Sequence, residues 1–435
     1  MHDLADQRVT VAGLGRFGGG IAAARWLIEQ GARVLVTDEK PAGLLADSVE
    51  QLQDLPIAYH LGGHREEDFT NADLVVASPA IPRSSQFLRA AVAAGVPVTT
   101  EICLFIERCP ASTVIGVTGT KGKSTTTAML GEILRPHNAT WIGGNLGGSL
   151  LAELPRIQPR DWVVLELSSY MLDYLGERKW SPHIGIITMI TADHLAWHGS
   201  VEAYVDAKKN LLRYQTPADF AVLNRENEAT WALADEVRAT VAPFGVEHTK
   251  HFEMALPGSH NQLNAQAAFA AAHLLGVTWE QAQEVLRNFH GLPHRLELVH
   301  EANDVRFVND SIATIPEAAV AALESFPARK VIQIVGGSDK GLSITELCAA
   351  LTERAKAVLC IGATGTVVAE KLAASTYQAA APVHVCGDLA TAMQVARSIA
   401  TPGDVILLSP GFASYDQFVN FEERGNTFVR LAKGA

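Results

Sequence analysis

The stretch Gly116-Val117-Thr118-Gly119-Thr120-Lys121-Gly122-Lys123-Ser124-Thr125 constrains this chain more than any other part of it. It follows the apolar run Thr113–Thr118. It precedes 126–134, where Ala128, Met129, Leu130, Ile133 and Leu134 recur at helical spacing. A strand, a glycine turn and a helix in immediate succession fold onto a parallel sheet. The glycines let backbone N–H groups turn inward around phosphate oxygens, and the helix N-terminus adds favourable partial charge. Lys123 can neutralise the β- and γ-phosphates of a nucleoside triphosphate, and Ser124 or Thr125 can reach Mg²⁺. The strict phosphate-loop pattern has a glycine where Val117 stands. Gly116 and Gly119 flank that position, so this is a variant loop.

The rest of the chain agrees with a parallel-sheet fold. Short β-type runs alternate with alanine- and leucine-rich stretches throughout, which is the α/β signature. Three blocks are expected: residues 1–101, 102–291 and 292–435. The first opens with the strand 9–12 and a glycine turn and continues through 32–37 and 72–78. The second contains 113–118, 162–167 and 183–191. The third contains 305–309, 330–335, 357–361 and 405–408. The expected fold class is α/β in three domains: N-terminal Rossmann-like, a central P-loop parallel sheet, and C-terminal Rossmann-like.

At 435 residues, with 48% hydrophobic and 19% charged residues, the chain is long enough for several cores. A net charge of −12 disfavours nucleic acid as a partner. The five cysteines form no CxxC pair, so reduced thiols are expected rather than a zinc site or a disulfide framework. The N-terminus is acidic where a secretory signal is basic, and no apolar run is long enough to span a bilayer. A cytoplasmic protein with no membrane partner is the expectation.

Two further features carry chemistry. Glu166 ends an expected strand, and acids at the carboxyl ends of parallel strands face the ligand side of such sheets, where they suit Mg²⁺. Near the start, Gly13-Leu14-Gly15-Arg16-Phe17-Gly18 lies between a strand and a helix, and Asp38 ends the next strand. That is the dinucleotide fingerprint. It admits an NAD-dependent dehydrogenase, although a dehydrogenase needs no triphosphate loop. A nucleotide-sensing regulator would also explain two nucleotide motifs, but not the polar clusters that follow them.

Those clusters resemble the Mur ligase family. The likeness begins at Thr118–Thr125 and continues through Gly143-Gly144-Asn145, Glu166-Leu167-Ser168-Ser169-Tyr170, Asp193-His194-Leu195 and Tyr204-Val205-Asp206-Ala207-Lys208. It runs on through Gly258–Asn264, Gly291-Leu292-Pro293-His294-Arg295, Asn309-Asp310-Ser311, Ser409–Phe418 and Asn420–Gly425. These segments span nearly the whole chain in family order. The N-terminal glycine turn and the last two segments look like the glutamate-adding branch of the family.

The resemblance implies an ATP-dependent acid–amino-acid ligase of peptidoglycan-precursor synthesis, with small-molecule substrates as its partners and acting as a monomer. It would add D-glutamate to UDP-N-acetylmuramoyl-L-alanine through an acyl phosphate. ATP would contact Gly119, Thr120, Lys121, Gly122, Lys123, Ser124, Thr125, Asn261, Asn264, Arg295 and Asp310. Ser124, Glu166, His194 and Lys208 would serve two Mg²⁺ ions, with Lys208 carbamylated by CO₂; Lys123, Glu166, His194 and Lys208 would form the catalytic group. The UDP-sugar would meet Gly15, Arg16, Phe17, Asp38, Asn145 and Ser168. Glutamate would meet Thr314, Lys340, Ser414 and, through its backbone, Phe421. One departure stands out. The branch commonly reads Asp-Ser-Lys-Ala-Thr-Asn where this chain has Asp310-Ser311-Ile312-Ala313-Thr314-Ile315. A cation and an amide beside the amino-acid site have become isoleucines, which keeps L-glutamate open as the alternative substrate.

Overall fold

The computed structural model describes residues 4–14, 19–79, 81–191, 199–246, 250–254, 256, 258–339, 341–374 and 381–434. They form two compact units: Met1–His251 with Leu263–Val285, and Phe252–Gln262 with Leu286–Ala435.

The first unit holds two sheets. One comprises β1 (Arg8–Ala12), β2 (Arg33–Asp38), β3 (Ala58–Leu61), β4 (Leu74–Ala77) and β5 (Val98–Thr99), in the order β3-β2-β1-β4-β5. Every neighbouring pair is parallel. The chain reverses its direction of sheet growth between β1 and β4, so a ligand crevice is expected beyond their carboxyl ends. Val9, Val11, Val34, Val36 and Val76 are buried. β-Branched side chains fit this pleated, doubly covered surface.

The second sheet comprises β6 (Thr113–Thr118), β7 (Thr140–Gly144), β8 (Trp162–Glu166), β9 (Ile184–Ile187), β10 (Phe220–Asn224) and β11 (Thr240–Phe244). Its order is β11-β10-β9-β6-β8-β7, again all parallel. β6 lies between β8 and β9, so the glycine loop after β6 opens at the switch point of this sheet. Strand β9 is shorter than its apolar run suggests. From Thr188 onward the backbone turns to serve the glycine loop, with Thr188 N–H still bonded to Thr118 O at 2.9 Å.

The second unit holds β12 (Glu297–Ala302), β13 (Val305–Asn309), β14 (Val331–Val335), β15 (Ala355–Ile361), β16 (Val383–Gly387) and β17 (Val405–Leu408), in the order β12-β13-β17-β14-β15-β16. The sheet is parallel apart from one edge: β12 is antiparallel to β13. The two are joined by Asn303 and Asp304, with φ of 53° and 60°. Two consecutive left-handed residues make the tight hairpin turn whose twist matches its strands, and Asn and Asp tolerate that conformation.

Among the described residues no helix is long and apolar enough to cross a membrane. All five cysteines are free thiols; Cys103, Cys348 and Cys360 are buried.

Candidate functional site

The loop after β6 is built around two glycines. Gly119 has φ of 151°, and a Cβ there would stand 1.9 Å from the Thr188 hydroxyl oxygen. Gly122, with φ of 85°, would bring a Cβ within 2.3 Å of Asn264 Oδ1. Both positions therefore require glycine on backbone and on space. Gly122 precedes the helix Lys123–Leu134, whose first turn holds Ser124 and the buried Thr125. The Lys123 ammonium lies back over its own loop, donating to Gly119 O and Thr120 O, each at 3.0 Å. Thr188 Oγ1 donates to Lys121 O at 2.6 Å, and Thr120 Oγ1 lies 3.0 Å from the Tyr204 hydroxyl. Neighbouring strands and helices thus hold the loop backbone in shape. Lys121 is exposed at its edge.

Glu166 ends β8 beside this loop, opposite Val117 in register. It is 1% exposed. Its Oε1 accepts from Asn145 Nδ2 at 3.0 Å, while Oε2 is buried with no hydrogen-bond partner among the described residues. A buried carboxylate oxygen left without a donor is costly unless something else supplies positive charge. A divalent cation held by Glu166 would do so, and oxygen donors suit Mg²⁺. Ser168 caps the helix Ser169–Glu177, its hydroxyl accepting from Met171 N–H at 3.3 Å. Lys208, on the helix Val201–Arg213, is 1% exposed and donates to Gly119 O at 2.9 Å. Its Nζ also stands 4.5 Å from the centre of the Tyr204 ring. The glycine loop, Asn145, Glu166 and Lys208 are therefore gathered at the carboxyl end of one sheet. Asn264 joins them from the helix Ser259–Leu274, its Oδ1 accepting from Thr126 Oγ1 at 3.3 Å. Asn261, buried, is on the same helix. His194 lies outside the described residues.

At the N-terminal sheet, Gly13 N–H donates to Thr37 O at 2.8 Å and Ser78 N–H to Ala12 O at 2.7 Å. These bonds carry the ladder just past the carboxyl ends of β1, β2 and β4. Asp38, 6% exposed, ends β2 there, and its Oδ1 accepts from Lys40 N–H at 2.9 Å. Gly15, Arg16 and Phe17 lie outside the described residues.

In the second unit, Asp310 follows β13. Its Oδ1 accepts from Leu296 N–H at 3.2 Å and its Oδ2 from the Ser409 hydroxyl at 2.7 Å. Burial pushes its carboxyl up to about 7, against the opposing pull of Ser409, Leu296 and the Arg295 charge. Arg295 Nε is itself buried without a partner among the described residues. An acid and a guanidinium, both with bonding capacity left over, suit a polyhydroxylated, phosphorylated ligand. Thr314 is half-buried and Ser414 buried, and Phe421 opens the helix Phe421–Ala432. Ile312 is half-buried with its N–H bonded to His294 O at 3.1 Å, and Ile315 is exposed. Lys340 lies outside the described residues.

Comparison with known proteins adds three matches to family models. Residues 7–100 match the Mur ligase MurD-like N-terminal domain, residues 117–250 the Mur ligase middle domain, and residues 294–412 the Mur ligase glutamate ligase domain. The chain belongs to the Mur ligase family. Among its curated relatives, a protein of Roseiflexus sp. (strain RS-1) named UDP-N-acetylmuramoylalanine–D-glutamate ligase is 41% identical, with 99% of each chain covered. One of the same name from Anaeromyxobacter dehalogenans is 38% identical, covering 99% of this chain and 98% of the relative. Among solved structures, the UDP-N-acetylmuramate–alanine ligase MurC of Thermotoga maritima shares the fold, with a TM-score of 0.64, 21% identity and coverage of 98% of this chain and 99% of that one. MurF from the same organism, in complex with ADP, aligns with a TM-score of 0.58 at 18% identity, covering 100% of this chain and 97% of that one. Membership of a ligase family replaces the dehydrogenase and sensor readings of the glycine motifs.

Three residues of this Mur ligase gained no role from sequence reasoning. Thr188 orders the glycine loop from just past β9, which ends at Ile187. In the sequence it lies inside the apolar run 183–191 and reads as one more strand residue. Tyr204 opens the Tyr204–Lys208 motif, but nothing in the sequence points its hydroxyl at Thr120. Arg424 likewise stood inside the Asn420–Gly425 segment, and an arginine on a charged helix reads as a solvent-facing cation. It is instead buried.

Proposed function

We propose that this Mur ligase joins D-glutamate to UDP-N-acetylmuramoyl-L-alanine at the expense of ATP, as a step in cytoplasmic peptidoglycan-precursor synthesis. The observation that carries the reading is the end-to-end likeness, at 41% identity, to a relative named for that reaction. The phosphate loop and the partnerless oxygen of Glu166 supply the matching chemistry. We propose a division into residues 1–101 for UDP, 102–291 for ATP and 292–435 for glutamate, and a monomer.

A carboxylate is a poor acyl donor. An oxygen of the alanyl carboxylate attacks the γ-phosphorus of ATP; the bond to the bridging oxygen breaks and ADP leaves. The resulting acyl phosphate has a good leaving group. The glutamate amine attacks its carbonyl carbon and gives up a proton, and inorganic phosphate departs as the amide forms. Little covalent chemistry is left to the protein, so its work is positioning and charge stabilisation.

In this reading the backbone of Gly119–Gly122 and the Ser124 and Thr125 hydroxyls hold the phosphates. Lys123 swings from its loop carbonyls onto the transferring phosphoryl group. Asn261, Asn264, Arg295 and Asp310 hold the rest of ATP, with Asp310 accepting from ribose hydroxyls. Ser124, Glu166, His194 and Lys208 would hold Mg²⁺, which when bound supplies positive charge against the phosphate oxygens. Lys208 would do so as a carbamate, an anion placed beside the loop. Gly15, Arg16, Phe17 and Asp38 would take the UDP moiety, with Asn145 and Ser168 meeting the sugar-peptide end. Thr314, Lys340, Ser414 and the Phe421 backbone N–H would take glutamate.

Phosphate release tests the reading. It should require UDP-N-acetylmuramoyl-L-alanine and glutamate together. Hydrolysis indifferent to both would overturn it. For the carbamate, Lys208→Ala should lose most activity and regain some with short-chain carboxylates, and labelled bicarbonate should give a carbamate signal only with Lys208 present.

A further inference from the structure

Arg424 heads the largest fully buried side chains among the described residues, at 1% exposed. Its guanidinium bonds two segments directly and reaches a third, the start of its own helix, through Ser311. Nε donates to the Ser311 hydroxyl at 3.0 Å and Nη2 to Ser311 O at 2.9 Å. Nη1 donates to Phe412 O at 3.1 Å and Ala413 O at 3.3 Å. The Ser311 hydroxyl in turn donates to Phe421 O at 2.8 Å. The three segments are those carrying Thr314, Ser414 and Phe421.

The charge on Arg424 is as notable as its bonds. Every acceptor it meets is neutral, and among the described residues it forms no ion pair. Asp416 is the carboxylate whose field favours the cation, yet its oxygens accept from Ala363 N–H at 2.8 Å and the Ser338 hydroxyl at 3.3 Å. Burial lowers the guanidinium to about 10. A buried cation without a contacting anion is costly, and a planar five-donor fork is the side chain best able to tolerate it. An anion brought in by the substrate would offset that cost.

We propose that Arg424 is a positioning residue for the incoming amino acid: its fork locks the three segments that present donors to the substrate, and its unpaired charge favours an amino acid carrying extra negative charge. This rests on the reading of the C-terminal unit as the glutamate-binding part. Arg424 acts through Ser311 and the backbone of residues 412–413 and 421. It therefore governs glutamate capture and leaves ATP and the UDP-sugar untouched.

The test uses the full-length protein with Arg424→Lys and Ser311→Ala. Lysine keeps the charge but cannot span both Ser311 and the 412–413 carbonyls. Alanine at 311 keeps the arginine and cuts its link to Phe421. Folding is checked by thermal melting, and KM is measured for glutamate, ATP and UDP-N-acetylmuramoyl-L-alanine. Arg424→Lys should raise the glutamate KM about 10-fold, equivalent to about 1.4 kcal/mol. Ser311→Ala should raise it about 3- to 5-fold, the order expected for one hydrogen bond. The other two KM values should stay within about twofold of the parent, inside the usual additive error for distant groups. A glutamate KM unchanged in a folded variant, or all three KM values rising together, overturns the proposal; if the lysine variant does not fold, Ser311→Ala decides. Failure of the parent protein to ligate glutamate would instead overturn the functional reading beneath it.

Discussion

Glu166→Gln should make the metal-free protein more stable while removing its activity. In the parent, Oε1 is satisfied by Asn145, but Oε2 is buried and without a partner among the described residues. Leaving a buried acceptor unmade costs about 1–3 kcal/mol, and more when the group is charged. Glutamine keeps the Asn145 bond through its carbonyl oxygen and puts an equally unpaired but neutral NH₂ where Oε2 was. Only the ionic part of the penalty is relieved, so a gain of about 1–2 kcal/mol is expected. For a unit of this size that corresponds to a rise in Tm of roughly 2–8 °C. In the parent, Mg²⁺ at ten times its dissociation constant would add about 1.4 kcal/mol by mass action; the glutamine variant should show little of that increment. Paired melts in chelator and in Mg²⁺ with a non-hydrolysable ATP analogue read both effects, and a coupled assay reads turnover, expected to fall at least about a hundredfold with one transition-state charge interaction lost. A variant that melts lower than the parent in chelator, and still gains from Mg²⁺, would refute the argument.

Two other substitutions probe the site from different directions. Gly122→Ala has to place a methyl group 2.3 Å from Asn264 Oδ1 at a left-handed φ; it should cost about 1–3 kcal/mol and raise the KM for ATP, and unchanged melting and ATP affinity would show the loop to be more pliable than drawn. Asp310 is raised from its ordinary 3.8 to about 7 by burial. Its neutral form is favoured on folding, so its stabilising contribution is full below pH 4 and is lost as pH rises to 7, a swing of about 4 kcal/mol. Asp310→Asn should flatten stability across that window while weakening ATP binding. A pH profile with the parent's slope would contradict this.

Parts of this account were legible in the sequence for definite physical reasons. The glycine loop could be read because each of its residue types does something no other type does there: Gly119 and Gly122 occupy space and φ closed to a Cβ. The parallel sheets could be read because strands buried on both faces become apolar runs. The antiparallel edge strand was missed although its turn is spelled Asn303-Asp304, because the charged and exposed residues of β12 do not read as a strand. Arg424 was missed because burial depends on what its helix packs against, and composition alone places an arginine in solvent. Contacts such as Tyr204 with Thr120 or Asp310 with Ser409 join residues far apart in sequence, and no local pattern encodes them.

The claim at the centre is that one active site forms an amide between UDP-N-acetylmuramoyl-L-alanine and glutamate. Purified protein incubated with ATP, Mg²⁺, the UDP-sugar peptide and either D- or L-glutamate, with products followed by mass spectrometry, tests it directly. A single product heavier by one glutamyl residue is expected, formed with D-glutamate, with one ADP per amide. The same product from L-glutamate alone would point to the Ile312 and Ile315 departure and overturn the D-specific reading. No glutamyl product from either enantiomer, with the protein folded and ATP bound, would contradict the account.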